Sequence, residues 1–569
     1  MYLLHTGSLF FVNRSTAKTL YIFDFYAIVA SSNIERVNVL KEYQGLPIRG
    51  VHFDLKAHML NFDAMCATAR KMARLGYNTI LLEYQDKFPF TGVLAPVAAP
   101  DALTAEQVQA FQSFCEELGL QIIPLIQSIG HMYFVLRHPQ FSHLAEVGGH
   151  YENSTLCPSM EEGFLLVKEM MGQSLQAHPP CRYVHIGGDE ASLSRTCSLC
   201  GDAPKHELLA AHYSRCCDWI LDQGKKPIMW SDMVLAHLET LDALRGKVVI
   251  MDWDYFTNGV PGEKPRIWGG YSAEHPEQWS ELHKKLLRPY VYEVEPFLTR
   301  PFPYVQFLRD QGFEVLVAPA ARCGGDAAYI PQTMHIGNCR EAVRAAARAN
   351  ALGVVVTSWS VRRGPWPLTE NSLIAAAVCM KNPGASNEET ERAFALDHFG
   401  VEDAELAQIP MLLGRAALAA DSVCSLSQMG LQHPFDDMGN VDDYADRKRQ
   451  TGQTWLGNPE IAPAYAKLGE AAEAAQKLLN RAQPVTDEQK ERVAFWQWSI
   501  DTAFLLSEYA PWLALTCIPK EKAEDLLWKF TELGARGDQL LSRWYTPYSM
   551  ESDTMSRIGI HQSYLRQFL

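Results

Sequence analysis

The sequence predicts an α/β protein: a (β/α)8 TIM barrel followed by a C-terminal all-helical domain. Eight apolar runs alternate with helical stretches between residues 47 and 370. The runs are continuously apolar rather than alternating, as expected of a sheet that is buried on both faces. Polar or aromatic residues end nearly every run, which favours a barrel over a doubly wound open sheet, where they would gather at one switch point.

The eight runs are predicted to be the barrel strands in chain order. They are IRGVHFDL (48–55), NTILLEY (78–84), LQIIPLIQSIGH (120–131), RYVHIGGDE (182–190), KPIMWSDM (226–233), KVVIMDWDY (247–255), FEVLVAPA (313–320) and LGVVVTSW (352–359). Helical stretches such as 61–76 and 104–119 lie between them. The second stretch begins at Thr104, a typical N-cap residue, and ends at Gly119, a typical residue after a helix.

Two further segments flank the barrel. Residues 1–46 are expected to be an N-terminal extension, residues 47–370 the catalytic barrel, and residues 371–569 the helical domain. The last segment consists of amphipathic stretches, which indicate helices that pack against one another. Aromatic residues at helical spacing usually belong to a core, and we expect this of Trp496, Trp498, Trp528 and Trp544.

Composition and charge exclude several classes of protein. The chain has 569 residues, 47% of them hydrophobic, which is enough for a large core. A net charge of -15 argues against a nucleic-acid partner. Asp24 interrupts the longer N-terminal apolar run, so we expect no membrane partner, although Arg14 and Lys18 leave export through a poor signal peptide open. Thirteen cysteines, an odd number in a long chain, indicate a reducing cytoplasm.

Two adjacent carboxylates end the fourth run, in HIGGDE (185–190). In an extended strand, Asp189 and Glu190 would point to opposite faces. Gly187 and Gly188 allow the backbone to bend, so that both acids can approach the mouth of the barrel. Retaining glycosidases usually place two carboxyl groups about 5–5.5 Å apart across the scissile bond, which neighbouring residues achieve with difficulty. A nucleophile that belongs to the substrate would remove this difficulty.

The predicted mouth also contains aromatic and charged residues. Tryptophans present flat apolar walls, and such walls ringed by polar groups suit sugar rings. Arg49, at the end of the first run, needs an anionic or hydroxyl partner, because an unpaired buried charge is costly. That partner is either a ligand or one of the acids Asp54 and Glu83.

HIGGDE resembles the H-x-G-x-D-E signature of glycoside hydrolase family 20, the β-N-acetylhexosaminidases. RGVHFDLK (49–56) is similar to the arginine motif of that family's first strand. Residues 81–90 and 123–148, MDWDY and the last-strand tryptophan resemble the hexosaminidase D branch. The resemblance spans about residues 47–365. It implies a hydrolase without a cofactor that removes terminal β-linked GlcNAc or GalNAc from glycans or glycosides with retention.

The resemblance also assigns roles to individual residues. Family 20 works by substrate-assisted catalysis, in which the 2-acetamido carbonyl attacks C1 and forms an oxazolinium intermediate. Glu190 would protonate the leaving oxygen and then activate water, while Asp189 would orient the acetamido N–H. Arg49 would grip the sugar hydroxyls, and Tyr255 would hydrogen-bond the acetamido oxygen. The other pocket residues expected are Trp230, Trp253, Trp359, His131, Asp232 and Glu83.

Some assignments stay open. Tyr84, Tyr290 and Tyr292 compete with Tyr255 for its role. Many family members carry a glutamate two residues after the last-strand tryptophan, where this chain has Val361 followed by Arg362 and Arg363. The preference between gluco and galacto substrates is therefore not predicted.

We expect no metal site. Cys197 and Cys200 form a C-x-x-C pair, and Cys216 with Cys217 is a second pair. The second pair is adjacent rather than spaced, which is poor for tetrahedral zinc, so reduced thiols are expected.

Two functions of other classes stay open. One is a non-catalytic carbohydrate-binding or scaffold protein whose C-terminal helices mediate assembly, and a homodimer through these helices is neither predicted nor excluded. The other is a metal-dependent TIM-barrel hydrolase that uses His52, His131 and His185. The first run lacks the H-x-H pair that such enzymes often carry.

Overall fold

The structure is a computed structural model. It describes residues 45–56, 58–146, 154–194, 197–260, 263–294, 298–323, 334–360, 364–423, 458–513, 515, 517–554 and 558–569. Nearly all of the predicted N-terminal extension lies outside the described residues, as do Val361, Arg362 and Arg363. Residues 45–569 form one compact unit, and the division at residue 370 stays a prediction.

Eight parallel strands close into a barrel, as predicted. In chain order, β1 to β8 are Ile48–Asp54, Thr79–Glu83, Gln121–Leu125, Tyr183–His185, Lys226–Trp230, Val249–Trp253, Glu314–Ala318 and Gly353–Ser358. Each strand pairs with the next, and β8 pairs with β1 to close the ring. Ala320–Arg322 adds a short pairing to β8, and Tyr292–Val294 and Leu298–Thr299 form a separate antiparallel pair.

A glycine permits the closing contact between β8 and β1. A Cβ atom on Gly353 would lie 2.0 Å from the carbonyl oxygen of Ile48. Since real Cβ atoms do not approach a backbone oxygen this closely, a larger residue here would push the two strands apart.

Seven helices of eight or more residues cover the barrel. α1 to α7 are Phe62–Leu75, Ala105–Glu117, Glu161–Ala177, Lys205–Asp222, Pro303–Asp310, Met334–Arg348 and Trp366–Lys381. Shorter helices are Tyr133–Leu136, Asp232–Ala236, Leu241–Leu244, Glu281–Leu286 and Arg288–Val291. The cap predicted for α2 is confirmed, because Thr104 Oγ1 accepts the backbone N–H of Gln107 at 3.2 Å.

The regular elements described after β8 are helices, as predicted, apart from an isolated bridge at Tyr545. After α7, α8 to α14 are Asn387–Phe399, Gln408–Asp421, Ile461–Leu479, Asp487–Leu513, Lys520–Leu541, Pro547–Thr554 and Ile560–Leu565. Trp496, Trp498 and Trp544 are buried as expected, whereas Trp528 is 62% exposed. The prediction for Trp528 is therefore wrong: it lies on the outer face of α12. Among the described helices, none combines the length and the apolar character needed to cross a membrane.

A buried charge network joins the barrel to the C-terminal helices. Glu370 on α7 lies 2.7 Å from Lys71 Nζ on α1. Both carboxylate oxygens of Glu370 also accept hydrogen bonds from the guanidinium of Arg492 on α11, each at 2.8 Å. Since these buried ion pairs join α1, α7 and α11, the network holds α11 against the barrel.

Candidate active site

The chain bends sharply after β4, where the two adjacent carboxylates stand. β4 ends at His185, earlier than the apolar run predicts, because Gly187 and Gly188 turn the chain with φ of +64° and +90°. A Cβ on Gly187 would lie 2.0 Å from Gln127 Oε1, so the turn leaves no room for a side chain. Glu190, with φ of +48°, continues the bend in a conformation that is strained for a residue other than glycine. Both acids thereby reach the same end of the barrel.

His131, in the loop after β3, joins the two carboxylates. Its Nε2 lies 3.1 Å from Oδ2 of Asp189 and 3.4 Å from Oε2 of Glu190. Burial lowers the pKa of His131, but the charge and hydrogen bond of Asp189 outweigh it and raise that pKa to about 9. The ring is therefore an imidazolium at neutral pH, and its charge offsets the repulsion between the neighbouring acids.

The loops after β3 and β4 also touch through their backbones. A Cβ on Gly130 would lie 2.0 Å from the carbonyl oxygen of Asp189. Asp189 is buried, whereas half of the Glu190 side chain is exposed. Oδ1 of Asp189 has no hydrogen-bond partner within the described residues, so it is available to an N–H donor.

Asp232 supports the acid loop from the end of β5. Its Oδ2 accepts the backbone N–H of Glu190 at 2.8 Å, and its Oδ1 accepts the indole N–H of Trp253 at 3.2 Å. Burial, followed by the charge of Asp189, raises the pKa of Asp232 to about 7. The structure thus places Asp232 beside the acid pair, as predicted, where it orients Glu190 and Trp253.

Glu83 belongs to a buried charge cluster at the same end of the barrel. Its carboxylate lies 3.2 Å from His52 Nε2 and 3.4 Å from Lys56 Nζ, and it accepts a hydrogen bond from Gln127 at 3.2 Å. Burial raises the pKa of Glu83, but Lys56 and His52 outweigh burial and hold that pKa well below its usual range. All of these contacts are internal, so Glu83 is a supporting residue.

Lys56 was missed by sequence reasoning, although it ends the quoted motif RGVHFDLK. Its Nζ lies 4.6 Å from the ring centre of Trp359. Burial lowers the pKa of Lys56, but Asp54, Glu83 and Asp189 together outweigh it and raise that pKa. Lys56 therefore stays charged under the acid pair and steadies the indole by a cation–π contact.

The predicted aromatic residues form one wall. Trp253 stacks on Tyr255 at 4.8 Å between ring centres. Trp359 lies 6.2 Å from Tyr255 and 6.0 Å from Trp230. The indole N–H of Trp230 has no hydrogen-bond partner within the described residues. The wall is apolar on its faces and carries polar atoms at its rim, as a sugar site requires.

The structure favours Tyr255 over the competing tyrosines. Burial, followed by the charge of Asp189, raises the pKa of Tyr255, which shows that its hydroxyl stands near the acid pair. The hydroxyl groups of Tyr84, Tyr290 and Tyr292 instead bond to His178, Asp310 and the carbonyl of Ala273, respectively.

Arg49 lies at the other end of the barrel. It is the second residue of β1, whereas the acids follow the carboxyl end of β4. Its Nε and Nη1 donate to the carbonyl oxygens of Gly76 and Leu46, each at 2.8 Å. The prediction that Arg49 grips the sugar is therefore wrong, because a strand of seven residues separates its two ends by about 20 Å.

A cavity of about 300 Å³ opens beside Glu190 and Asp232. Trp268 and Arg266 line it; the Arg266 guanidinium lies 4.2 Å from the Trp268 ring centre. Trp268 in turn packs edge-on against Trp253 at 4.7 Å. Both residues lie in the long loop after β6, outside any apolar run. The sequence could have indicated Trp268 as a site residue only because a tryptophan in a surface loop often takes part in binding. Through Trp268, the aromatic wall continues into this cavity beside Glu190 and Asp232.

Residues 96–260 match the family model "Glycosyl hydrolase family 20, catalytic domain". This segment of the chain is similar to the catalytic domain of that family. The matched segment includes β3 to β6 and therefore His131, Asp189, Glu190 and Asp232. The residues that the structure brings together around the acid pair thus lie within the segment that matches the family model.

Two curated relatives are similar to this chain. Hexosaminidase D of Bos taurus is 32% identical over 221 residues, which cover 37% of this chain and 63% of that protein. Hexosaminidase D of Homo sapiens is 31% identical over 327 residues, which cover 55% of this chain and 60% of that protein. The chain therefore spans less than two thirds of the length of either relative.

Solved structures are similar to this chain at lower identity. A crystal structure of a beta-N-acetylhexosaminidase aligns with a TM-score of 0.45 and 16% identity, covering 63% of this chain and 78% of that chain. Flavobacterium johnsoniae chitobiase aligns with a TM-score of 0.44 and 13% identity, covering 90% and 78%.

Proposed function

We propose that this protein is an exo-acting β-N-acetylhexosaminidase that removes terminal β-linked GlcNAc or GalNAc from glycans or glycosides with retention of configuration. The observation that carries the proposal is the acid pair Asp189 and Glu190, held by His131 beside an aromatic wall. The family 20 match over these residues and the names of the two curated relatives support it.

The first step breaks the glycosidic bond without a nucleophile from the protein. The carbonyl oxygen of the substrate's 2-acetamido group bonds to C1, and the bond between C1 and the leaving oxygen breaks. Glu190 transfers its proton to that leaving oxygen. The exposed position of Glu190 next to the cavity of Trp268 suits this role, because the leaving group occupies the outer side of the site.

Asp189 acts on the acetamido group. Oδ2 is held by His131, while Oδ1 is unpaired within the described residues and accepts the acetamido N–H. Positive charge develops on this nitrogen as the oxazolinium ring forms, and the buried carboxylate stabilises it. The Tyr255 hydroxyl donates to the acetamido oxygen, and the tryptophan wall excludes water from the ring.

The second step regenerates the enzyme. Glu190, now deprotonated, removes a proton from a water molecule that attacks C1, and the bond between C1 and the acetamido oxygen breaks. Two successive inversions at C1 leave the β configuration unchanged. Asp232 keeps Glu190 in place through the backbone hydrogen bond during both steps.

The metal-dependent alternative is less favoured, because no potential metal-ligand group among the described residues brings His52, His131 and His185 together. His52 bonds to Glu83, and His131 bonds to the acid pair. The Nδ1 atom of His185 accepts the backbone N–H of Gly187, and burial lowers the pKa of His185 to about 3.

Paired chromogenic β-glycosides of GlcNAc and GalNAc test the proposed activity. We expect turnover of at least one of them, β configuration in the first product seen by NMR, and inhibition by a thiazoline analogue of the oxazolinium ion. Glu190→Gln should lower kcat by about 100-fold or more, because the proton donor is lost. Glu207→Gln, on the exposed surface of α4, is the matched control. Binding of the glycoside without turnover would instead identify a carbohydrate-binding protein.

A cytoplasmic location accompanies this proposal. It rests on cysteine usage: the cysteines of the described part are unbridged. Fractionation of cells that express the tagged chain tests the location directly, and recovery of the protein in the culture medium would refute it.

A further inference from the structure

Three cysteines and one glutamate converge beside the acid loop. Glu146 and Cys157 belong to the loop after β3, and Cys197 and Cys200 belong to the loop after β4. All four residues are buried, and one ligand atom from each lies within 4.8 Å of the others. The cluster therefore combines residues from the same two loops that carry His131 and the acid pair.

Three distances between ligand atoms of this cluster are close to the edge lengths of a metal tetrahedron. The Sγ atom of Cys157 lies 3.8 Å from that of Cys197 and 3.5 Å from that of Cys200, and Cys200 Sγ lies 3.3 Å from Glu146 Oε2. Around tetrahedral zinc, with Zn–S near 2.3 Å and Zn–O near 2.0 Å, S···S edges are about 3.8 Å and S···O edges about 3.5 Å. The four atoms are thus arranged around a point from which each could be a ligand.

The buried carboxylate of Glu146 has no positively charged partner within the described residues. Glu146 is 4% exposed, and within the described residues its carboxylate has two partners: the backbone N–H of Ser194 at 3.1 Å and the thiol of Cys200. Neither partner carries a positive charge. A buried carboxylate without a cation is costly, and a divalent metal ion would compensate it.

The sequence-based expectation of no metal depended on the wrong second pair of cysteines. Cys216 and Cys217 lie on α4, and Cys216 Sγ contacts His212 Nε2 at 3.7 Å. The partners that C-x-x-C actually meets, Cys157 and Glu146, are 40 and 51 residues before Cys197, so their spacing carries no signal.

We propose that Glu146, Cys157, Cys197 and Cys200 bind one structural zinc ion. Three thiolates and one carboxylate form a closed ligand set for a borderline-soft cation that prefers tetrahedral sulfur and oxygen or nitrogen ligands. Binding releases one proton from each of the three thiols. With four protein ligands no coordination position remains for water or substrate, so the ion has no direct part in hydrolysis.

The ion fastens the two catalytic loops to each other. Protein contacts already run between them: the backbone N–H of Ser192 donates to Thr155 Oγ1 at 3.3 Å. Within the loop after β3, the backbone N–H of Met132, next to His131, donates to the carbonyl of Ser154 at 2.9 Å. Any effect of the metal on catalysis rests on the proposed function, whereas the binding of the metal does not.

Metal analysis of the full chain tests the proposal. The protein is purified from zinc-supplemented cells without a metal-affinity column, and mass spectrometry measures its metal content. We expect about one zinc ion per chain in the wild type and in Cys517→Ser, a control at an exposed cysteine, and loss of zinc in Cys157→Ser and Cys200→Ser. Protein without metal, another metal at one ion per chain, or a disulfide between two of the three cysteines would overturn the proposal.

A second measurement avoids variants that fail to fold. A mercurial thiol reagent added to the wild type should release zinc to a chromogenic chelator, and the thermal unfolding midpoint should fall with the metal removed. Unchanged stability after complete release would contradict a structural role. Zinc bound to a protein that cleaves no hexosaminide would refute the proposed function alone, and hydrolysis by a chain that never binds zinc would refute the metal site alone.

Discussion

The backbone N–H of Glu190 donates a hydrogen bond to Oδ2 of Asp232, with an N···O distance of 2.8 Å. This bond connects the loop after β4 to the end of β5 and anchors a residue with φ of +48°. Since the same Asp232 also accepts the indole N–H of Trp253, one side chain sets both the general acid of the proposed mechanism and part of the aromatic wall. A shift of the Asp232 side chain would therefore move the carboxyl group of Glu190 relative to the reacting atoms and lower the rate.

Asp232→Asn should lower kcat by about 10–100-fold with a smaller change in KM. An amide presents one accepting oxygen, so either Glu190 or Trp253 loses its acceptor. Steady-state kinetics on the better chromogenic glycoside measures the effect, with the exposed Asp218→Asn as control. Full activity in Asp232→Asn would show that this anchor does not position the acid.

His131 should give the activity an alkaline limit. Its pKa is raised to about 9, above the value of 6.5 in the unfolded chain. The ion pair therefore stabilises the site fully below pH 6.5, and this stabilisation is lost as the pH rises through about 9. In His131→Gln we expect a lower kcat at neutral pH and no limb near pH 9 in the pH–rate profile. If the rate of the variant still decreased near pH 9, the decrease would be due to the titration of a group other than His131.

Arg49→Ala should reduce stability and leave catalysis intact. The change removes two hydrogen bonds to carbonyl oxygens at the amino-terminal end of β1, at a cost of about 1–3 kcal/mol in the free energy of unfolding. Urea unfolding measures that cost, and kcat and KM should match the wild type at a temperature where both proteins are folded. A large rise in KM in Arg49→Ala would contradict this expectation and indicate that Arg49 does contact the substrate.

Glu370→Gln should destabilise the whole compact unit. Glutamine keeps the shape but removes the buried carboxylate that Lys71 and Arg492 share. Other acids still contact both cations, so we expect a cost of about 1–3 kcal/mol in the free energy of unfolding. Denaturant unfolding followed by tryptophan fluorescence reports this loss. Glu388→Gln, which breaks an exposed pair with Arg392, should change little. Equal effects of the two changes would mean that the network does not hold α11 to the barrel.

The barrel and its acid pair could be predicted because both depend on local pattern. Strands buried on both faces leave continuous apolar runs, and the residues that follow such runs stand at the mouth, as Asp189 and Glu190 do. Arg49 was misplaced because it precedes the apolar part of its run, and only the carboxyl end of a strand faces the mouth.

Other site features depend on contacts between distant parts of the chain. No sequence pattern around Trp268 indicates that it contacts Trp253, because the path of the loop between them does not follow from local sequence. Cys157 meets Cys197 because the loops after β3 and β4 fold over the same end of the barrel. Contacts of this kind follow from the closure of the barrel, which apolar patterning predicts only as a class of fold.

The close approach of Gly130 to the carbonyl of Asp189 has a consequence for how the proposed substrate would enter and leave. Because the two backbones touch there, the loops after β3 and β4 cannot hinge apart without breaking this packing. Any loop motion that admits a ligand is therefore expected elsewhere at the mouth, for example in the loop after β6, where Trp268 packs against Trp253 at the end of that strand. Turnover limited by product release would accordingly respond to changes in the loop after β6 and not to changes near Gly130.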